Sequence, residues 1–138
     1  MALSASIEFG EFSTNNVFKS THSYPILQCR CHFGRSHNGV FPESMAHCDR
    51  IEITLKAPQK EDLTLYEWFI NNTSFNGRII FDLGNPPINS DTHTKTILFT
   101  DAMCFSLKES YRIDKLRHLT MEFCAKTVDA NSFVFNHL

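Results

Sequence analysis

The sequence predicts a mainly β fold, an antiparallel barrel or sandwich with one α-helix packed on it. Most of the chain alternates apolar and polar residues with the two-residue period of half-buried strands. Only residues 61–72 show a helical period. About seven strands that do not alternate with helices favour an antiparallel barrel or sandwich over an α/β fold. The 138 residues match one ordinary domain, so we expect a single domain over residues 1–138.

The N-terminal part predicts two strands joined by a polar segment. Residues 3–9 alternate apolar and polar side chains and are predicted to form the first strand. Residues 10–23 are polar and are predicted to be a loop, with a short strand around Val17–Phe18. The second strand is predicted over Tyr24–Phe33. Its inward face is predicted to carry Leu27, Cys29, Cys31 and Phe33.

A long polar segment, Gly34–Asp49, separates the second strand from the third. It is rich in turn-forming residues and is predicted to be a loop. Loops of this length are uncommon and tend to be functional or to reach a partner. The third strand is predicted over Arg50–Lys56, and its inward residues are Ile51, Ile53 and Leu55.

The single helix is predicted over Glu61–Asn72, after Pro58 has ended the third strand. Glu61 and Asp62 lie where a helix N-terminus favours negative charge. Trp68 is the only tryptophan of the chain and is predicted to lie in the core or in an interface. A lone helix with a wide apolar face must pack against a sheet or a partner. The candidate core or interface residues of this helix are Leu63, Leu65, Tyr66, Trp68, Phe69 and Ile70.

After the helix, strands are predicted over Arg78–Leu83, Leu116–Val128 and Phe133–Phe135. Two prolines in Asn85–Asp91 cannot donate to a ladder, so this segment is predicted to be a loop. The inward residues of the strand over Leu116–Val128 are predicted to be Leu119, Met121, Phe123 and Ala125.

A long strand is predicted over Thr92–Leu107. Asp101 interrupts its apolar face, and a β-bulge near Thr100–Asp101 would turn that carboxylate outward. The residues assigned to the inward face are Ile97, Phe99, Met103, Phe105 and Leu107.

Composition argues against several function classes. The net charge is −2 and no basic run exists, so nucleic-acid binding is disfavoured. The N-terminus lacks signal-peptide features, and no apolar run approaches the ~20 residues that span a bilayer. The sequence therefore predicts a protein made in the cytoplasm, without membrane insertion. Its five cysteines are expected to be free thiols.

Cysteine and histidine residues offer the main candidates for chemistry. Cys29, Cys31 and His32, together with His47 and Cys48, could supply zinc-like ligands. Their spacing fits no zinc motif, and alternation places Cys29 and Cys31 on the inward face of a strand. Buried cysteine commonly behaves as a small apolar residue, so we predict a packing role. No local signature identifies a Cys–His nucleophile.

Other catalytic patterns are equally weak. No glycine-rich phosphate loop exists among five glycines. A carboxylate pair for glycoside chemistry competes with solvated or turn-stabilising roles for the same residues. The sequence therefore predicts no enzyme activity, no metal and no cofactor. The carboxylates considered for such a pair are Asp82, Asp101, Glu109 and Asp114.

Several blocks are spread over essentially the whole chain: Met1–Ala5, Ala57–Pro58, Glu61–Ile70, Gly77–Asp82, Asp101–Tyr111 and Phe133–Leu138. Together they resemble the Hcp family of type VI secretion tube proteins, also called TssD, and especially its Bacteroidota branch. Residues 61–70 and 101–111 are the most specific of these blocks.

The resemblance implies a small β-barrel of two sheets with one helix, and a structural role. Such proteins form hexameric rings that stack into a hollow tube inside a contractile sheath. A VgrG-type spike caps the tube, and contraction delivers effectors, so the protein leaves the cytoplasm without a cleaved signal peptide. Head-to-tail contacts can close a ring and pair open strand edges, and a low net charge limits repulsion between stacked rings.

The resemblance also assigns a role to Gly34–Asp49, which matches a loop that reaches neighbouring subunits in this family. Two other functions remain open from the residues alone: a stand-alone β-barrel ligand-binding module and a Cys-dependent hydrolase. The candidate inter-subunit residues of the loop are Arg35, His37, Asn38, Phe41, Glu43 and His47.

Overall fold

The computed structural model describes residues 4–14, 17–35, 37–42, 46–82, 94–111, 113, 117–130 and 133–136. These residues form ten strands and one helix. In chain order they are β1 (Ser4–Phe12), β2 (Phe18–Gly34), β3 (His37–Asn38), β4 (Phe41–Pro42), β5 (His47–Lys56), α1 (Thr64–Ile70), β6 (Phe75–Asp82), β7 (Thr94–Ser110), β8 (His118–Cys124), β9 (Thr127–Ala130) and β10 (Phe133–Asn136).

Six strands close into an antiparallel barrel. The ladder runs β6–β1–β2–β5–β8, and β7 closes it because it pairs with both β6 and β8. Strand β9 continues from β8 along β7, and β10 pairs with β9. Strands β3 and β4 form a two-stranded sheet of their own. The predicted mainly β fold, with an antiparallel barrel and one packed helix, is confirmed.

The barrel interior is filled by apolar side chains from every barrel strand. The inward faces predicted for Arg50–Lys56 and for the strand that begins at His118 are confirmed. Each buried isoleucine or leucine contributes about 1.5–3 kcal/mol relative to an exposed position. The confirmed inward residues, all at most 5% exposed, are Ile51, Ile53, Leu55, Leu119, Met121, Phe123 and Ala125.

The loop predicted over residues 10–23 is wrong for most of its length, although residues 13, 14 and 17 lie outside strands and the short strand predicted around Val17–Phe18 is confirmed at Phe18. Strand β1 continues to Phe12, β2 begins at Phe18, and these two residues face each other across the ladder. A bulge at Thr21 breaks the alternation, and its hydroxyl donates a hydrogen bond to the Phe9 carbonyl at 3.1 Å. Both faces of this extension are largely exposed, so polar residues occupy them without the usual period.

The inward face predicted for β2 is partly wrong. Ile26 is buried, but Leu27 forms a bulge against β5 and is 55% exposed. The extra residue reverses the alternation, so Cys29 and Cys31 return to the inward side and are half-buried. Phe33, near the end of β2, is 46% exposed and does not belong to the inward face.

The predicted loop Gly34–Asp49 is shorter than expected and contains structure. It includes the β3–β4 hairpin, and β5 already begins at His47. Gly39 has φ +63° at the hairpin turn, a conformation that glycine adopts without steric cost.

Helix α1 is shorter than the predicted Glu61–Asn72. It begins at Thr64, and the N-cap residue Leu63 provides no side-chain cap hydrogen bond. Asp62, one residue earlier, accepts a hydrogen bond on Oδ1 from the Thr64 backbone N–H at 3.1 Å. The other carboxylate oxygen accepts the Tyr24 hydroxyl at 2.8 Å, which ties the helix start to β2.

The candidate core or interface residues of the helix differ in burial. Leu65 and Trp68 are fully buried, whereas Leu63 and Ile70 are 53% and 69% exposed. Leu63 precedes the first helical residue, so its side chain does not follow the helical period. Tyr66 is half-buried at the edge of the core.

The bulge predicted near Thr100–Asp101 is confirmed. Three steps along β7, from Phe99 to Ala102, match two steps along β6. Asp101 has φ +49°, is exposed, and donates its backbone N–H to Asn76 Oδ1 at 2.9 Å.

The inward face assigned to β7 beyond this bulge is wrong at two positions. Met103 and Phe105 are 41% and 50% exposed, because the extra residue reverses the alternation. A second bulge, at Phe105, reverses it again, so Leu107 packs on the core as predicted. The residues that the first bulge turns inward are Ala102 and Cys104.

The strand predicted over Leu116–Val128 is two strands, β8 and β9, separated at Ala125–Lys126. The predicted terminal strand is confirmed as β10. The predicted loop and strand ends that lie outside the described residues are Leu3, Leu83, Asn85–Asp91, Thr92 and Leu116.

Candidate assembly surface

Helix α1 places Trp68 in the barrel interior. Its Nε1 donates a hydrogen bond to the Ala102 carbonyl at 2.9 Å. The indole stacks on Phe75 with centroids 5.3 Å apart, and the rings of Phe9 and Phe123 lie 5.0 and 5.1 Å away. Trp68 therefore belongs to the core of one subunit.

Three apolar side chains are exposed on α1 and at the residue before it. Leu63, Phe69 and Ile70 are each at least 36% exposed, and all three were predicted as core or interface residues. These side chains do not pack in the core of a single chain. Their predicted role is therefore contact in an interface, and it stays a prediction.

Hydrogen bonds from two tyrosine hydroxyls to one carboxylate connect α1 to β7. The Tyr66 and Tyr111 hydroxyls both donate to Glu109, the second at 2.5 Å. These bonds, first from Tyr111 and then from Tyr66, hold the pKa of the Glu109 carboxyl below its ordinary value. Burial and the neighbouring carboxylate raise the pKa of Tyr66 to about 12.

The β3–β4 hairpin projects apolar residues into solvent. Phe41 is 72% exposed, as expected for a residue that contacts a neighbour. Val40, beside it at the turn, is 88% exposed, and the sequence analysis missed it. Its position after Gly39 in an Asn-Gly turn could have identified it as a hairpin tip.

The other loop candidates fall into three groups. Arg35 and Asn38 are exposed. His37 lies in β3, and Glu43 lies outside the described residues. His47 starts β5 at the base of the segment, and its Nε2 lies 2.5 Å from Asp49 Oδ1. The exposed tip of the β3–β4 hairpin is therefore structurally distinct from His47, which lies at the start of β5.

The β1–β2 hairpin carries open strand edges. The β1–β6 ladder stops at Gly10, and the β2–β5 ladder includes no residue before Ile26. Within the described residues, no strand pairs with the outer edge of β2 over Lys19–Ser23. Unpaired edges of this kind are templates for pairing with another chain.

Burial disfavours the nucleophilic form of two thiols. It raises the pKa of Cys48 to about 12 and that of Cys104 to about 11, and only the thiolate is a nucleophile. Interaction between Cys29 and Cys31 raises the pKa of Cys29 and lowers that of Cys31. This interaction was not visible in the alternation, which only placed both residues on one face.

Two kinds of feature are absent from the described part of the chain. No group of three or more His, Cys, Asp or Glu side chains is arranged there to hold a metal ion. No helix in the same residues is long and apolar enough to cross a membrane.

Solved structures similar to this chain share its whole fold. Hcp1 from Flavobacterium johnsoniae superposes with a TM-score of 0.70 at 17% identity, covering 97% of this chain and 99% of that one. Hcp3 from Pseudomonas aeruginosa gives a TM-score of 0.65 at 12% identity, covering 99% of both chains. The SPP1 tail tube protein gives 0.62 at 10% identity, covering 98% of this chain and 78% of its own.

Sequence comparisons identify the family directly. No curated protein matches the chain. The model of the family "Hemolysin coregulated protein Hcp (TssD)" matches residues 1–137. This match spans both the barrel and the helix, together with the segments that carry the exposed hairpins. The chain belongs to the Hcp (TssD) family.

Proposed function

We propose that this chain is a structural subunit of the inner tube of a type VI secretion system. The whole-chain family match carries this conclusion, because Hcp proteins are the tube components of that system. The proposal includes closure of six copies into a ring and stacking of rings into a hollow tube. It also treats residues 1–138 as one domain.

The barrel supports this role mechanically. Its closed ladder removes most strand edges and fixes the shape of each subunit. A rigid subunit can transmit force through a stack without changing its own fold. Two features outside the barrel, the β3–β4 hairpin and the outer side of α1, then supply apolar contact surface for copies of the same chain. A head-to-tail arrangement of such contacts closes into a ring.

We extend the proposal to the partners that a tube requires. These are a VgrG-type spike at the tip, a contractile sheath around the tube and effector proteins in its lumen. The protein would assemble in the cytoplasm and leave the cell without a cleaved signal peptide. A tube subunit needs no bond-making chemistry, so we propose that the chain is not an enzyme.

A stand-alone ligand-binding barrel is disfavoured by how the interior is filled. Trp68, Phe99 and Phe123 are all fully buried there, and the ring of Phe123 contacts the other two. A barrel that holds a small ligand needs this space for the ligand.

Light scattering and electron microscopy of the purified chain test the proposal. We expect a hexamer mass and ring-shaped particles at micromolar concentrations. A strict monomer at those concentrations, with no rings in micrographs, would contradict a tube subunit. Thiol alkylation tests the Cys-dependent hydrolase, since loss of a measurable hydrolytic activity would revive it.

A further inference from the structure

A solvent-accessible cavity of about 460 Å³ at the end of β5 carries an excess of positive charge. Three of its lining residues are cationic, namely Lys56, Lys60 and Arg117. The two lysines are exposed, and Arg117 is half-buried. The other lining residues, Ala57 and Pro58, are half-buried and apolar. No described carboxylate lines this cavity, so the fold brings three like charges together around one space.

Two of the cations lie on paired backbone. Lys56 is the last residue of β5 and pairs with His118 at the start of β8. One step further, the Ala57 N–H donates a hydrogen bond to the Arg117 carbonyl at 2.8 Å. The pairing therefore continues beyond β5 and fixes the backbone separation between Lys56 and Arg117.

The third cation, Lys60, lies in a hydrogen-bonded turn. The Asp62 N–H donates to the Gln59 carbonyl at 2.9 Å, which is the closing bond of a β-turn. The two oxygens of the Asp62 carboxylate accept the Tyr24 hydroxyl and the Thr64 N–H, so this acidic group is already engaged beside Lys60. Because the turn holds the backbone of Lys60, binding of a ligand needs to order only its side chain.

The three cations are not neutralised by the described part of the chain. None of them forms an ion pair with a carboxylate there. Glu109 interacts electrostatically with Arg117, but its two oxygens accept the Tyr66 and Tyr111 hydroxyls. Even when the charge of Glu109 is counted against Arg117, two positive charges remain at the cavity. Like charges repel one another, and a bound anion relieves this repulsion.

We propose that this cavity binds a phosphate group, either free or as the monoester of a small molecule. The planar guanidinium group of Arg117 matches the geometry of phosphate, and the two lysines add point charges. A phosphate monoester carries a charge of about −1.5 to −2 at pH 7, which balances two positive charges better than one carboxylate does. Ala57 and Pro58 offer an apolar contact for the organic part of such an ester.

The test is a titration of the full chain with phenyl phosphate, followed by ³¹P NMR at low ionic strength, because salt screens exposed charges. We expect saturable binding of one equivalent. Arg117→Gln and the double variant Lys56→Gln/Lys60→Gln should each weaken binding by at least about tenfold, which corresponds to about 1.4 kcal/mol. The matched control for the double variant is Lys95→Gln/Lys126→Gln, which makes the same change in net charge. Both control lysines are exposed and lie outside the cavity, so binding should be unchanged.

Two further ligands define the chemistry of the site. Benzoate keeps the aromatic ring but replaces phosphate by a carboxylate, and it should bind at least about tenfold more weakly than phenyl phosphate. Equal binding of benzoate would reject phosphate as the ligand class. Inorganic phosphate lacks the apolar part. Tighter binding of the ester than of inorganic phosphate supports a monoester as the ligand, and equal binding supports free phosphate.

Two results would overturn the site: no saturable binding of phenyl phosphate by the wild type, or equal weakening by the control double variant. Circular dichroism checks that each variant folds. If a variant does not fold, acetylation of the wild type replaces it. Phenyl phosphate should then protect Lys56 and Lys60 but not Lys126, and equal protection of all three lysines would reject the cavity. The lining residues belong to one chain, so the site does not require a ring, and light scattering reports ring formation separately.

Discussion

Trp68→Ala should be among the most damaging substitutions in this chain. The substitution empties a fully buried site in contact with three aromatic rings and leaves the Ala102 carbonyl without its donor. Truncation of a large buried aromatic residue costs about 3–5 kcal/mol. For a chain of 138 residues, a shift of roughly 3 °C per kcal/mol lowers the melting temperature by roughly 9–15 °C. Trp68 is the only tryptophan, so unfolding must be followed by circular dichroism rather than by indole fluorescence.

A matched control separates core packing from helix effects. Ile70 lies in the same helix but is 69% exposed, so Ile70→Ala should change the unfolding free energy of the monomer by no more than about 0.5 kcal/mol. Trp68→Phe keeps an aromatic ring, loses the hydrogen bond to Ala102 and should fall between these two variants. Equal destabilisation by Trp68→Ala and Ile70→Ala would refute the assignment of Trp68 to the core.

Three further predictions concern the Asp62 carboxylate, the barrel wall and the hairpin. Burial raises the pKa of Asp62, but hydrogen bonds, first from Tyr24, outweigh burial and hold that pKa below the ordinary 3.8. The stabilisation by this carboxylate is therefore full above pH 3.8 and is lost as the pH falls through the folded-state pKa. Denaturation at neutral and acidic pH should show a smaller acid loss of stability in Asp62→Asn than in the wild type, and equal losses would contradict a stabilising role for these hydrogen bonds. A Cβ at Gly77 would lie 2.6 Å from Phe99 Cζ. Gly77→Ala should therefore destabilise the barrel by about 1–3 kcal/mol or more. An unchanged denaturation midpoint would reject this close approach of Phe99 to Gly77. Phe41→Ser should leave monomer melting unchanged but reduce the hexamer fraction in light scattering, and a normal hexamer would remove the hairpin from the assembly surface.

The sequence predicted the fold wherever the alternation of a strand is uninterrupted. Strand β5 pairs with β2 on one side and β8 on the other, and its inward residues Ile51, Ile53 and Leu55 alternate without error. The same holds for β8, where Leu119 and Met121 face inward. Side-chain direction follows the two-residue period in such strands, so the sequence alone determines which face is buried.

Bulges explain most of the errors. One extra residue shifts every later side chain of the strand to the opposite face. A prediction that continues the alternation past a bulge therefore assigns the wrong face to these side chains. Leu27, Met103 and Phe105 were all assigned inward, and all three are exposed at or beyond a bulge. Asp101 revealed its own bulge because a carboxylate interrupted an apolar face. The bulge at Leu27 carries no such signal, since leucine fits either face.

The assembly surface could not be located from the sequence for a different reason. An apolar residue that packs against another copy has the same composition signal as one that packs in its own core. Leu63, Ile70 and Phe41 illustrate this, since each is apolar and more than half exposed in one chain. Contiguous exposed apolar surface on a subunit commonly marks an interaction site. The combination of an apolar sequence with exposure in the single chain, rather than either one alone, therefore identifies the residues to test for contact between copies.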